Sequence, residues 1–358
     1  MTGRGIDQAL SNPSDPVLHE SYVRDARDYV SLAERVNGRI RRPVSDAYIW
    51  GTALAELERA APDARIINLE TSITRSADAW PGKDIHYRMH PGNIGCLTAA
   101  RIDCCVLANN HVLDFGYAGL EETLATLRAA GLRTAGAGVH ARDAAAPASV
   151  DLGERGRVLV FAYGSETSGI PLAWSARDGQ PGLSVLPDVS AEAARRIAAG
   201  IARQRRPKDI VVVSVHWGAN WGYAVPREQR DFARALIESG DVDVVHGHSS
   251  HHAKGLEIYR GRLILYGCGD FLNDYEGISG HERYRGDLSV MYFVTLDPAH
   301  GVVTLRMVPL RMRRFSLEPA SRADAEWLKA MLERESPLDR GLDLAGDNSL
   351  TLRNLTCC

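Results

Sequence analysis

The sequence predicts a mixed α/β fold, and two features of the chain lead to that prediction. Apolar runs typical of strands alternate with helical patterns, as where the helical pattern at 191–204 precedes the strand pattern at 209–218. Such alternation indicates a mainly parallel sheet flanked by helices. The last apolar runs, at 287–296 and 302–310, have no helix between them, which favours antiparallel pairing. Two sheets packed face to face, with helices outside, would accommodate both patterns.

The elements of the first half follow from periodicity and from their boundary residues. Leu120, Leu124 and Leu127 form a helical stripe, and Gly131 ends it. Residues 11–48 are polar and contain several prolines, so we expect irregular structure there. The predicted helices are 52–61, 93–102 and 118–131, and the predicted strands are 65–70, 103–108 and 157–164.

The second half of the chain repeats the alternation. Pro226 stands at a favourable first helical position, and Gly240 ends the same helix. The predicted helices are 191–204, 226–240 and 323–334, and the predicted strands are 209–218, 241–248, 256–259, 262–271, 287–296 and 302–310. Because no linker is evident, we expect a single domain over 1–358, in which 311–358 forms a C-terminal helix and tail.

The composition is that of an ordinary globular protein, and it excludes several classes. The chain has 358 residues, 45% hydrophobic and 24% charged, with a net charge of −3 from 42 basic and 45 acidic residues. This balance gives no general attraction to polyanions, so we expect no nucleic-acid partner. No apolar run reaches the length of a membrane span, and the N-terminus lacks the apolar segment of a secretory signal. We therefore expect a cytoplasmic protein.

The six cysteines form neither a disulfide framework nor a paired metal clip. Cys104 and Cys105 lie inside an apolar run, and we expect them in the core. Cys357 and Cys358 end the chain and have no assigned role. The cysteine usage favours a reducing compartment.

Polar residues follow four of the predicted strands at the point where each strand ends. They are Glu70, Asn110, His111 and His216, together with His246, His248, His251 and His252. In open α/β sheets, ligands bind beyond the carboxyl ends of the strands. Each residue alone has an ordinary explanation, since a buried Glu is usually salt-bridged, an Asn often forms a turn and a His often packs in a core. Four such strand ends in one chain together predict a metal site.

The donor types narrow the choice of metal. A carboxylate, an amide oxygen and imidazoles form an oxygen and nitrogen set without thiolates, which suits Mn, Fe, Zn or Co more than a structural cysteine-type zinc site. A carboxylate can bridge two ions roughly 3.5–4 Å apart, and such a pair can activate water and stabilise a displacement.

Five short motifs occur along the chain in a specific order. They are NLETSIT (68–74), NNHVLDFG (109–116), VHWG (215–218), GHSSH (247–251) and LYGCGDF (265–271). Over about residues 1–310 the sequence resembles the CapA-type, poly-γ-glutamate capsule biosynthesis-like proteins of the calcineurin-like metallophosphoesterase superfamily. Each motif alone is weak, but the ordered set is specific. The resemblance implies a four-layer αββα sandwich that binds two divalent metal ions.

The resemblance also implies a set of metal ligands. Glu70 matches the carboxylate that bridges the two metals, and Asn110 matches the amide ligand. His216 matches the imidazole of the following motif, and His248 and His251 match the closing pair, one to each metal.

Other residues of the motifs are implied to act without binding metal. His111 resembles the histidine that acts as a general acid or stabilises charge, and Asp114 would orient it through a hydrogen bond that fixes its tautomer. The alternative for His111 and Asp114 is an ordinary turn hydrogen bond. His246 and His252 fall outside the matching positions, so we expect them to support the ligands or the structure.

The chain departs from the family pattern in two places. The family begins with a strand that ends in a Gly-Asp motif, whereas MTGRG starts just after that point, and Asp7 is not placed to replace the ligand. The first strand is therefore expected to be missing, through a start that lies upstream or through loss of one edge of the site. One metal should then bind more weakly, and neighbouring strand edges should be exposed. The second departure is Asp270 in GCGDF, where the wider family usually has Asn; it is an extra acid/base group or a hydrogen-bonding substitute.

Three functions fit the sequence. The first is a metal-dependent hydrolase or transferase acting on a phosphoester or an amide-type polymer, with poly-γ-glutamate or capsule biosynthesis as its setting. The second is a metal-dependent peptide epimerase of a lasso-peptide-type pathway. The third is an inactive binding protein, which a genuine loss of the first strand would favour. The expected substrate is thus a small molecule, a polymer or a peptide. The sequence does not indicate the oligomeric state.

Overall fold

The computed structural model describes residues 1–352 of the chain, so Cys357 and Cys358 lie outside the described residues. The helices are α1 (Gly5–Ala9), α2 (Arg27–Asn37), α3 (Ala53–Ala60), α4 (Gly95–Ala99), α5 (Gly116–Ala129), α6 (Ala141–Ala145), α7 (Ala191–Ala202), α8 (Arg227–Glu238) and α9 (Arg322–Glu335). The strands of the first half are β1 (Ile66–Asn68), β2 (Ser72–Ile73), β3 (Arg88–Met89), β4 (Cys104–Val106), β5 (Arg133–Ala135), β6 (Ala137–Gly138), β7 (Ala148–Asp151) and β8 (Arg157–Ser165). Those of the second half are β9 (Gly182–Leu183), β10 (Val185–Leu186), β11 (Ile210–His216), β12 (Val244–His248), β13 (Leu256–Tyr259), β14 (Arg262–Leu265), β15 (Leu288–Asp297), β16 (Gly301–Arg313), β17 (Ser316–Pro319), β18 (Asp343–Leu344) and β19 (Leu350–Leu352).

Two sheets of three or more strands are mainly parallel, as the alternation of strand and helix patterns predicts. The smaller one has the order β1-β4-β5, and all its pairs are parallel. The larger one has the order β10-β8-β11-β12-β14-β13, with β7 paired to β8. Its central strands β8, β11, β12 and β14 are parallel to one another, while the outer strands β7 and β13 are antiparallel to their neighbours.

A third sheet is antiparallel and comes from the end of the chain. Its order is β15-β16-β19-β18, with β17 also paired to β16. β15 and β16 pair directly without an intervening helix, as the sequence predicts, because a short connection can join antiparallel strands but not parallel ones. The mixed α/β class is therefore confirmed, whereas the four-layer arrangement stays a prediction.

Apolar faces of the helices cover the parallel strands. Phe232 and Leu236 of α8 are buried and pack in one cluster with Val213 of β11 and Val245 of β12. Burying a side chain of this size contributes roughly 1.5–3 kcal/mol. The cluster holds α8 against the strands whose carboxyl ends carry the predicted ligands.

The structure corrects two details of the predicted elements. Residues 27–37, expected to be irregular, form the helix α2, whose Tyr29, Val30 and Ala33 are buried on one face. Its remaining positions are mostly charged or polar, which hid this narrow apolar face from composition alone. The strand predicted at 262–271 ends at Leu265, and residues 266–271 form a loop in which Gly269 has a positive φ of 74°.

A cavity of about 1180 Å³ lies beside the smaller parallel sheet. It is lined by β1 and β15, and among residues 1–352 each of these strands has a single strand partner. Glu70, His248 and Asp270 also line it, so the cavity reaches the predicted ligands. Whether the chain lacks a first strand stays a prediction.

None of the helices in residues 1–352 has the length and apolarity that a membrane crossing requires.

Candidate functional site

The histidines of the two central strands meet because of strand register. β11 and β12 are parallel, with Ser214 opposite His246 and His216 opposite His248. Side chains two residues apart on a strand point to the same face of the sheet. The four polar side chains therefore lie on one face, at the carboxyl ends of both strands.

These side chains form a continuous chain of contacts. The Ser214 hydroxyl lies 3.0 Å from Nδ1 of His246 and 2.8 Å from Nε2 of His248. The Nδ1 atoms of His248 and His216 are 2.7 Å apart. Burial lowers the pKa of His246 to about 4 and holds the pKa values of His216 and His248 well below their ordinary value. The three imidazoles are therefore neutral at pH 7, the form in which histidine binds metal.

Asn110 and Glu70 reach the same place from the smaller sheet. The Asn110 side-chain oxygen lies 3.0 Å from Nε2 of His216, and Oε1 of Glu70 lies 3.9 Å from the same nitrogen. Asn68 donates to the other Glu70 oxygen at 2.8 Å. Burial raises the pKa of Glu70 to about 7; His251 opposes the rise and Asp270 adds to it. Glu70 is therefore a buried carboxyl that can gain or lose a proton near neutral pH.

His251 and Asp270 form a buried pair beside this group. Nδ1 of His251 lies 3.1 Å from Asp270 Oδ1, and its Nε2 lies 3.4 Å from the Tyr275 hydroxyl. Burial acts to lower the pKa of His251, but the charge and hydrogen bond of Asp270, together with the charge of Glu70, outweigh burial and leave the pKa raised. Asn273 donates to the second Asp270 oxygen at 3.0 Å. Asp270 thus hydrogen-bonds to a predicted ligand, as one of its two predicted roles requires; an acid/base role stays a prediction.

His111 and Asp114 make the predicted contact. Nδ1 of His111 lies 2.8 Å from Asp114 Oδ2, which also accepts the backbone N–H of Tyr87 at 2.6 Å. The Tyr87 ring packs edge-on against the imidazole, with centroids 4.7 Å apart. Burial lowers the pKa of His111 to about 4, Lys83 adds to the shift and Asp114 opposes it. The imidazole is therefore neutral and held in place on two sides.

Sequence reasoning missed Lys83, which lies at the centre of this group. Its ammonium donates to the Asn110 carbonyl and to Asp114 Oδ1, and it lies 3.0 Å from Nδ1 of His111. Burial acts to raise the pKa of Asp114, but Lys83 and His111 outweigh it and hold that pKa below its ordinary value. Lys83 lies in a loop without a recognisable motif. The only signal in the sequence is a lysine in a polar turn 27 residues before Asn110.

Asn109, which the sequence leaves without a role, links the two strand ends. Its Nδ2 donates to the Leu69 carbonyl at 2.9 Å and to Asn68 Oδ1 at 3.0 Å, while its Oδ1 accepts the backbone N–H of His111. The side chain is fully buried. Asn109 therefore joins the end of β1 to the segment that carries Asn110 and His111.

His252 belongs to the surrounding structure, in agreement with one of its two predicted roles. Its Nδ1 donates to the Ala253 carbonyl at 2.9 Å, and its Nε2 accepts the Gly222 N–H at 3.1 Å. Both ring nitrogens are thus satisfied away from Glu70 and His216.

The backbone is strained where the histidine segment leaves β12. Ser249, directly after His248, has a φ of 112°, which non-glycine residues rarely adopt. Its hydroxyl donates to the Gly218 carbonyl at 3.1 Å, which ties this segment to the end of β11. Strained backbone of this kind clusters at functional sites, where surrounding contacts hold it in place.

The donor types at the site suit a divalent ion, but in this structure the side chains form hydrogen bonds with one another. His216 uses Nδ1 toward His248 and Nε2 toward Asn110. Among residues 1–352, no group of three or more His, Cys, Asp or Glu side chains is placed to hold one ion. The two-metal centre therefore stays a prediction.

The arrangement is suited to acid–base chemistry. Neutral His111 and Glu70, a carboxyl with a pKa of about 7, both lie at the ends of neighbouring parallel strands. Groups whose pKa values are shifted by burial and by specific partners are typical of active sites.

Comparison with known proteins finds one matching family and several relatives. The family described as bacterial capsule synthesis protein PGA_cap matches residues 1–275. A probable polyglutamine synthesis accessory protein of Mycobacterium tuberculosis is 49% identical over 338 residues, which cover 94% of this chain and 89% of that protein.

Two Bacillus proteins are more distant relatives. The PGA biosynthesis protein CapA of Bacillus subtilis is 30% identical over 292 residues, which cover 81% of this chain and 71% of that protein. The capsule biosynthesis protein CapA of Bacillus anthracis is 26% identical over 245 residues, which cover 67% of this chain and 55% of that protein.

Proposed function

The chain belongs to the bacterial capsule synthesis PGA_cap family of CapA-type proteins, and on that premise we propose that it is an enzyme of polyglutamate or capsule synthesis. The proposed reaction is hydrolysis or transfer at an amide-type or phosphoester bond. One relative is named for polyglutamine synthesis and two others for PGA or capsule biosynthesis, and the substrate proposed here is a γ-linked glutamate polymer. We also propose that the chain has the four-layer αββα sandwich fold of the metallophosphoesterases.

One observation carries this proposal: four strands deliver polar side chains to one place, three of them buried and one, Asn110, half-buried. Glu70 and Asn110 come from the ends of β1 and β4, and His216 and His248 come from the ends of β11 and β12. Burying polar groups costs free energy unless they are paired, and apolar side chains at the same positions would stabilise the fold more. Such a cluster of polar side chains is typical of a functional site.

In this proposal His111 is the proton donor or the group that stabilises developing charge. Its Nδ1 faces Asp114 and Lys83, so Nε2 is the nitrogen left for a substrate. Tyr87 and Asp114 hold the ring still, which reduces the reorganisation that proton transfer requires.

We further propose that divalent metal binds to Glu70, Asn110, His216, His248 and His251. Support comes from the donor types and from the neutral state of His216 and His248. A bound divalent ion would supply Lewis acidity and an activated water.

The test is a substrate screen with a matched pair of variants. Purified protein is incubated with γ-linked glutamate oligomers and with phosphoesters, each with Mn²⁺, Zn²⁺, Fe²⁺ or Co²⁺, and released amine or phosphate is measured. His111→Asn should lower turnover by about 10²–10⁴-fold. The exposed His140 supplies the control, because His140→Asn should have no effect. Full activity in His111→Asn would exclude the proposed mechanism.

A non-catalytic binding protein is the second candidate. The observation in its favour is that the described residues hold no three-ligand group in place. Binding of γ-linked glutamate oligomers without any turnover under all four metals would support this candidate over the enzyme.

A further inference from the structure

Exposed arginines gather at the carboxyl end of α2 and in the segment that follows it. Arg35, Arg39 and Arg41 are exposed, and none of their side chains forms an ion pair or a hydrogen bond within residues 1–352. Arg42 lies 3.9 Å from Glu34, and its side chain is 40% exposed. The whole chain carries a net charge of −3, so this excess of positive charge is a local feature of the surface.

Arginines at the end of β16 extend this surface. Nε of Arg313 donates to the Asn37 side-chain oxygen at 3.1 Å, which places the end of β16 beside the end of α2. Arg311 and Arg313 are two residues apart on the strand, so both point to the same exposed face. The arginine cluster, as we name it, consists of Arg35, Arg39, Arg41, Arg42, Arg311, Arg313 and Arg314.

Acidic side chains pair with only part of the arginine cluster. Glu318 lies 3.0 Å from Arg314 and 3.8 Å from Arg313. Asp287 lies 3.2 Å from Arg311. Three of the members near the end of α2 have no such partner in the described part of the chain and are open to solvent. Their positive charge is therefore available to an anion that comes from outside the protein.

The arginine cluster borders the segment that reaches the candidate site. The Glu276 carboxylate accepts the Asn37 side-chain N–H at 2.6 Å and the Arg314 backbone N–H at 2.6 Å. The hydroxyl of Tyr275, the residue before Glu276, lies 3.4 Å from Nε2 of His251. A polymer held at the site can therefore reach the cluster.

We propose that the arginine cluster binds a polycarboxylate chain, namely the part of a γ-linked glutamate polymer that extends beyond the candidate site. This inference rests on the proposed function, which supplies the polymer. A guanidinium group binds a carboxylate through two parallel hydrogen bonds. One exposed pair of this kind strengthens binding by about fivefold or less, so a single free carboxylate should bind weakly. A chain that carries many carboxylates contacts several arginines at once, and the contributions combine.

Nucleic acids and anionic lipids also attract arginine, but the cluster suits them less well. Glu34, Glu318 and Asp287 lie among its arginines, so the excess of positive charge is modest. Double-stranded DNA carries one phosphate per roughly 1.7 Å of its length, and so dense a charge would be repelled by these acidic side chains. Carboxylates spaced along a flexible chain can contact the arginines and avoid the acids.

A second basic segment of the chain provides a matched control. Arg203 and Arg206 are exposed, and their side chains form no ion pair within the described residues. They precede β11, whose carboxyl end carries His216, so they lie at the end of the strand opposite to the candidate site. The cluster variant is Arg39→Gln with Arg41→Gln, and the control variant is Arg203→Gln with Arg206→Gln. Each variant thus loses the same positive charge from exposed positions.

The experiment measures binding, so it does not depend on turnover. The parent protein and both variants are titrated against a fluorescently labelled γ-linked glutamate polymer, and Kd is obtained from anisotropy in low and in high salt. In low salt the cluster variant should bind about tenfold more weakly, whereas the control variant should differ from the parent by less than about twofold. High salt should reduce the difference, because it screens exposed charges. The three proteins should have the same Tm, since exposed substitutions change stability little.

Three outcomes would overturn the assignment of the cluster. They are equal weakening in both variants, unchanged polymer binding in the cluster variant, and absence of polymer binding by the parent. Single-stranded DNA and phosphatidylglycerol vesicles are titrated in parallel. If the cluster variant loses affinity for either of these but keeps its affinity for the polymer, the arginines bind phosphates and the proposal is wrong.

The result for the cluster is separate from the result for the proposed enzyme. Weaker polymer binding by the cluster variant, without turnover by the parent, would support the cluster and reject the enzyme. Turnover by the parent, with unchanged polymer binding by the cluster variant, would support the enzyme and reject the cluster.

Discussion

The side-chain oxygen of Asn109 accepts the backbone N–H of His111 at 3.1 Å. Through its other end Asn109 donates to the Leu69 carbonyl at 2.9 Å. A single buried amide therefore sets the distance between the end of β1, where Glu70 lies, and the candidate acid/base residue His111.

Replacing Asn109 should destabilise the protein more than replacing its neighbour. Asn109→Ala leaves a buried carbonyl and a buried N–H without partners, which costs about 1–3 kcal/mol for each group. Asn110→Ala leaves only one buried group, Nε2 of His216, without this partner, so it should cost about half as much as Asn109→Ala. Urea unfolding of both variants measures the difference. Equal losses would show that Asn109 does not link the two strand ends.

Lys83 and Asp114 should show strong energetic coupling. Lys83→Met leaves a buried carboxylate without its ammonium partner, and Asp114→Asn leaves the ammonium without the carboxylate. Each single change should cost about 1–3 kcal/mol, and the double variant should cost less than their sum by about 1 kcal/mol or more. Lys83→Arg should recover part of the loss because it restores the charge. If the losses of unfolding free energy in the two single variants add up to the loss in the double variant, the contact between Lys83 and Asp114 does not itself stabilise the fold.

Asp209 should make stability depend on pH in the acidic range. It is buried, and it accepts two hydrogen bonds from the Arg157 side chain, at 2.6 Å and 3.1 Å, and one from the Arg206 N–H at 2.8 Å. Burial acts to raise its pKa, but these donors outweigh burial and leave the pKa lowered. A lowered pKa means that the carboxylate stabilises the fold above its ordinary pKa, and that this contribution is lost as the pH falls through the lowered value.

Asp209→Asn tests this dependence against an exposed pair. At pH 7 it should lower the free energy of unfolding by about 1–3 kcal/mol, and the difference from the parent should shrink toward pH 3. Asp63 pairs with Arg155 at 2.7 Å, but both side chains are more than half exposed. Asp63→Asn should therefore change stability by less than about 1 kcal/mol at either pH. A difference for Asp209→Asn that stays constant with pH would contradict the assignment.

Much of the site can be predicted from strand ends. The spacing of His246 and His248 places both imidazoles on one face of a strand, and their contact with His216 follows from parallel register. Glu70 and Asn110 could be predicted because each follows an apolar run. The alternation of side chains along a strand and the point where an apolar run ends are local properties, which a sequence displays.

The rest depends on contacts between segments that are distant in the chain. Lys83 lies in a loop, and nothing near it in sequence shows that it reaches His111 and Asp114, 28 and 31 residues away. The helix α2 was missed because only a narrow face of it is apolar. The cavity between β1 and β15 depends on how two sheets meet, which periodicity does not report.

Elemental analysis of bound metal tests the proposed site at Glu70, Asn110, His216, His248 and His251. The protein and three variants, Glu70→Gln, His216→Ala and His111→Asn, are dialysed against Mn²⁺, Zn²⁺, Fe²⁺ or Co²⁺, and bound metal is counted by elemental analysis. We expect at least one bound ion per chain in the parent protein and in His111→Asn, and a clear loss of bound metal in Glu70→Gln and His216→Ala. Absence of bound metal in the parent, or equal binding in all four proteins, would contradict it.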